Sequence, residues 1–68
     1  MTVYSQVKQT LAGLKSAQAS FEQFALQTQN QQAKQVYTDA ANQTNTIVST
    51  LEQRVQQLEQ EEPQYKQS

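Results

Sequence analysis

Gln27-Thr28-Gln29-Asn30-Gln31-Gln32 is a run of six polar residues with an apolar stripe on either side of it. Upstream, the apolar positions fall at Val3, Val7, Leu11, Leu14, Ala17, Phe21 and Phe24. Steps of three and four mark one face of a helix, whereas a half-buried strand would alternate. Tyr4 and Ala25 widen the stripe beyond a two-position seam, as a bundle helix requires. Downstream the stripe resumes at Ala33 and runs through Val36, Tyr37, Ala40, Thr44, Ile47, Val48, Leu51, Val55 and Leu58. The polar run therefore separates two helices.

Local signals place the ends. Thr2 can cap the first helix and Asn30 the second, each offering a side-chain oxygen to an orphan backbone N–H. Thr28 with Gln31 is a competing capping box for the second start. Pro63 biases Glu62 away from the α region, so the second helix should stop near Gln60 or Glu61. The expected fold is all-α, an antiparallel two-helix hairpin over residues 1–61 followed by a flexible tail over 62–68. Its parts are a helix over about 2–28, a turn at about 29–30 and a helix over about 31–61, each roughly 40 to 46 Å long. So short a connection makes the helices antiparallel neighbours. Because the polar run holds neither Gly nor Pro, one continuous helix with a polar middle is the competing architecture.

In a hairpin centred between Gln29 and Asn30, facing residue numbers sum to about 59. Phe21 then lies near Tyr37, Ala17 near Ala41, Leu14 near Thr44, Leu11 near Val48, Val7 near Leu51 and Val3 near Val55. Aromatics gather at the turn, small residues at the waist and branched aliphatics at the open end. This register suggests one ion pair across the helices, Lys8 with Glu52, worth at most ~1 kcal/mol because it is exposed.

Composition narrows the function. The 68 residues carry five Lys+Arg against six Asp+Glu, a net charge of −1, with no Cys, His or Trp. A chain of this length is a single small domain. Without Cys there is no disulfide framework, and without Cys or His the usual zinc, haem and iron–sulfur ligands are missing. No cofactor is expected. The commonest general base and the thiol nucleophile are missing too, so an enzyme is not expected. Near-neutral charge argues against nucleic acid as a partner. No apolar run approaches the ~20 residues needed to cross a bilayer, and the N-terminus has neither a basic start nor an apolar stretch. The expected location is cytoplasmic, without direct membrane insertion. Sixteen residues are Gln, a composition that invites a disordered reading. The regular apolar period and the scarcity of Gly and Pro oppose it.

Burial is the weak point of a lone hairpin. At this length apolar burial roughly cancels chain entropy unless a staple or a partner is added. Disulfides and metals lack their residues, so a partner remains, most simply a second copy completing a four-helix bundle. The expected core and oligomer interface comprises Val3, Val7, Leu11, Leu14, Ala17, Phe21, Phe24, Tyr37, Ala40, Ile47, Val48, Leu51, Val55 and Leu58.

Other residues invite a chemical role. Glu59, Glu61 and Glu62 form an acidic cluster that could hold a divalent cation or dock a basic partner. They also oppose the helix dipole, yet a solvated helix end explains them as well. A small-ligand or cation binder built on these three is the alternative function. Glu22 and Asp39 could approach each other near the turn, but di-iron bundles also require His. Gly13, at the edge of the first stripe, either admits the close approach of another helix or is merely tolerated. Tyr65, outside the helices, would dock back on the bundle or serve with the acidic cluster in binding a partner.

Three segments carry a family resemblance: Met1-Thr2-Val3…Ser5-Gln6-Val7-Lys8-Gln9-Thr10-Leu11-Ala12, then Phe24-Ala25-Leu26-Gln27-Thr28…Gln32-Ala33-Lys34-Gln35, then Glu61-Glu62-Pro63-Gln64-Tyr65-Lys66. The chain resembles a small uncharacterised family of about this length from endospore-forming bacteria, along nearly its whole length. The resemblance implies an association with sporulation or germination, and a location in the forespore or spore core. It also implies a spore membrane-protein complex of the SpoVA type as a possible partner. The shared motifs are structural, and no catalytic or binding residue is carried over with them. The final Gln67-Ser68 departs from the family's usual ending, which leaves the role of the extreme tail open.

Overall fold

The computed structural model describes residues 2–62. Helix α1 spans Val3–Gln27 and helix α2 spans Gln31–Glu61. The described residues contain no strand. The two helices pack along their length as a hairpin of 48 × 18 × 14 Å.

Side-chain oxygens set both helix starts. Thr2 Oγ1 accepts from the Ser5 amide at 3.1 Å, and Asn30 Oδ1 accepts from the Ala33 amide at 2.8 Å. Thr28 is not part of a capping box. Its amide closes α1 on the Phe24 carbonyl, and its hydroxyl accepts from the Asn30 amide at 3.2 Å. Thr28 and Asn30 are extended, with ψ of 141° and 122°. No described residue has positive φ, so the reversal needs no glycine. Two extended residues and a fresh cap break what could have continued as one helix. At the other end Glu62 closes α2 by donating its amide to the Leu58 carbonyl. Glu62, the first residue of the expected tail, is thus the cap of α2, and the remainder of that tail, 63–68 with Pro63 and Tyr65, lies outside the described residues.

The buried residues are Tyr4, Leu11, Ala41, Val48 and Val55. Tyr4, Leu11, Val48 and Val55 form one cluster, and Val7, Leu14, Leu51 and Leu58 pack against it. Together with the partly buried Gln18, Phe21 and Ala25 on α1 and Tyr37 and Thr44 on α2, they follow a strict alternation of three- and four-residue steps. That cadence corrects the start of the stripe. Counting back from Leu14 and Leu11 reaches Val7 and then Tyr4, so Tyr4 enters the seam and Val3 is 74% exposed. Ala17, Phe24, Ala40 and Ile47 sit beside the seam, with Phe24 and Ile47 about half exposed.

The ion pairs correct the register at the flank. Lys8 pairs with Glu59 at 3.8 Å, and Lys15 pairs with Glu52 at 2.6 Å. The expected Lys8–Glu52 pair is displaced by one seven-residue repeat. Helical side chains lean toward their own N-terminus. Here Lys8 and Lys15 lean toward the open end, while Glu52 and Glu59 lean back toward the turn. The two leans add, and each lysine meets the glutamate one repeat farther along α2.

Candidate functional site

The seam divides the hairpin surface into two unlike flanks. Residues that directly follow a seam pair, Lys8, Lys15 and Glu22 on α1 and Thr38, Asn45, Glu52 and Glu59 on α2, form a polar, ion-paired flank. Residues that directly precede the next pair are different in kind. On α1 they are Val3, Thr10, Ala17 and Phe24, and on α2 Ala33, Ala40, Ile47, Arg54 and Glu61. In an antiparallel pair like flanks meet, so these two rows form one long and largely apolar flank.

Glu59 is the best anchored member of the acidic cluster. It accepts a hydrogen bond from the Tyr4 hydroxyl and pairs with Lys8, whose Nζ also lies 5.4 Å above the Tyr4 ring. Burial of the Tyr4 ring in the seam carries its hydroxyl to the edge where Glu59 stands. Glu61 and Glu62 are exposed. Among the described residues no group of three His, Cys, Asp or Glu is placed to hold a metal ion. Glu22 and Asp39 are each engaged within their own helix, by Gln18 and by Gln35.

Near the turn, Phe24 meets Phe21 edge-on at 6.3 Å and Tyr37 at 5.7 Å. Such edge-to-face contacts stabilise by about 0.5–1.5 kcal/mol beyond burial. On the polar flank at the same level, the small side chains of Ala25 and Ala41 leave an open groove of about 520 Å³. Glu22, Leu26, Lys34, Thr38 and Asn42 complete its lining. Gly13 faces open space, with nothing within 4 Å of where a Cβ would stand.

The contact between Tyr4 and Glu59 is absent from the sequence-based expectations, as is the Lys15–Glu52 pair. A signal for the ion pair was present: Lys8 and Lys15 are seven residues apart, and so are Glu52 and Glu59. A matched repeat of opposite charges on two antiparallel helices is a ladder. The unlike flanks were legible in the same way once the cadence is anchored on Tyr4.

Fold and surface together define a two-helix hairpin with a closed apolar seam, one ion-paired flank and one exposed apolar flank. The chain belongs to the family described as Protein of unknown function (DUF1657), whose model matches residues 7–55. The matched span holds the turn and the seam from Val7 to Val55, and leaves Tyr4 and Glu59 just outside. No curated protein and no solved structure matches the chain. No helix among the described residues is long and apolar enough to cross a membrane.

Proposed function

We propose that this protein is a non-enzymatic helical interaction protein that acts by homo-oligomerisation and by helix–helix contacts with a partner. The observation that carries this reading is exposure. Val3, Phe24, Leu26, Val36 and Ile47 present large apolar side chains at 44–83% exposure, while only five of the described residues are buried. A hairpin so thinly buried gains by covering that surface, and a second copy is the simplest cover. The resemblance to a family of endospore-forming bacteria supports a role in sporulation or germination. It also supports location in the forespore or spore core, and a spore membrane-protein complex as the partner.

Sedimentation equilibrium of the full chain tests the assembly. The expected particle is at least about 15 kDa, two copies of 7.7 kDa, with a melting temperature that rises with protein concentration. A folded monomer whose melting is independent of concentration would overturn the reading. Affinity capture from sporulating cells tests the partner, and recovery of spore membrane proteins in proportion to the bait is the expected result.

A further inference from the structure

We infer that the apolar flank, with Ala17, Phe24, Ala40 and Ile47 at its centre, is the face on which a second copy of this chain docks. The inference rests on the oligomerisation proposed above and goes further by assigning the surface. The two flanks differ in what each already satisfies. On the polar flank Lys8 and Lys15 are matched with Glu59 and Glu52 inside one chain, so the stretch from the open end to the middle of the hairpin already pairs its charges. On the other flank Phe24 and Ile47 are 44% and 50% exposed, and the small Ala17 and Ala40 between them let another helix approach closely.

Size and charge select the occupant. The broad side of the whole hairpin measures 48 by 18 Å, so a contact spread along this flank can approach the ~800 Å² that each partner contributes to a stable interface. A lipid surface would call for cations along the rim of the apolar strip. Lys8 and Lys15 instead stand on the opposite flank, and on this one Arg54 is accompanied by Glu61. A second copy offers the same apolar strip, as a two-fold self-complementary contact requires. Two hairpin layers stacked through this face make a four-helix bundle with both ion-paired flanks turned to water. Val3, Phe24 and Ile47, outside or at the edge of the intramolecular seam, then become interior.

The test compares Ile47→Glu with Leu26→Glu by sedimentation equilibrium of the full chain. Leu26 is more exposed, at 83%, but lines the groove on the polar flank. Ile47→Glu is expected to weaken self-association by about tenfold or more, and Leu26→Glu to leave it unchanged. In case Ile47→Glu unfolds, alkylation of Ile47→Cys and Leu26→Cys across a dilution series gives a second readout. The thiol at 47 is expected to be protected at high concentration and to react on dilution, while that at 26 reacts equally throughout. An oligomeric wild type with an unprotected thiol at 47, or with dissociation caused by Leu26→Glu instead, would overturn this assignment and leave the oligomer standing. A monomeric wild type would overturn the oligomer itself.

Discussion

Tyr4 buries its ring in the seam and sends its hydroxyl to the Glu59 carboxylate, joining the first turn of α1 to the last turns of α2. Tyr4→Phe keeps the ring and removes the donor. It should cost about 1.5 kcal/mol in urea unfolding, the lower end for a charged acceptor, because Glu59 retains Lys8. Leu11 and Val3 separate seam from flank more sharply. Leu11 is 8% exposed, and Leu11→Ala should cost about 2–5 kcal/mol. Val3→Ala, at a site 74% exposed, should change the stability of the folded hairpin by no more than about 0.5 kcal/mol. Equal losses at the two sites, measured below the concentration at which copies associate, would contradict the seam. Asn30 caps the first turn of α2 by accepting from the Ala33 amide. Asn30→Ala should cost about 1 kcal/mol, read as a lower melting temperature by circular dichroism.

At the scale of the helix, the paired stripes, the break between them and the caps Thr2 and Asn30 were all readable, because each depends on chemistry within a few residues. The phase of the first stripe was harder to read. Val3 and Tyr4 are adjacent and both apolar, and steps of three or four admit either until the strict cadence through Leu11 and Leu14 selects Tyr4. Lys8 found a different glutamate because backbone register alone omits the lean of long side chains. The Tyr4 hydroxyl that donates to Glu59 likewise comes from 55 positions away, beyond any local pattern. Gly13 gives the helix-level prediction. It is mid-helix, exposed and without neighbours in the space of a Cβ, so Gly13→Ala should raise stability by about 0.5–1 kcal/mol. Gly13 stands three residues after Thr10 and four before Ala17, on the side of α1 that carries the apolar flank, so the sedimenting mass of Gly13→Ala reports how far the proposed contact reaches around that helix.

At the scale of the whole molecule, the two flanks make salt a useful probe. Exposed ion pairs contribute little and are screened as ionic strength rises, whereas apolar contact is not. Raising sodium chloride should therefore leave self-association intact or strengthen it, as followed by sedimentation; dissociation by salt would place the contact on the Lys8–Lys15 flank instead. The bond between Tyr4 and Glu59 has a geometric consequence as well. It holds the first and last described turns side by side, about 10 Å apart at ordinary helix spacing, so Thr2 and Glu62 lie at one pole of the hairpin. Whatever is joined there, the rest of the hairpin stands away from it like the closed end of a tuning fork, reaching 48 Å outward with its ring of aromatics near the tip. A copy held at that pole would thus carry Phe24 and Ile47 of its apolar flank well away from the anchor.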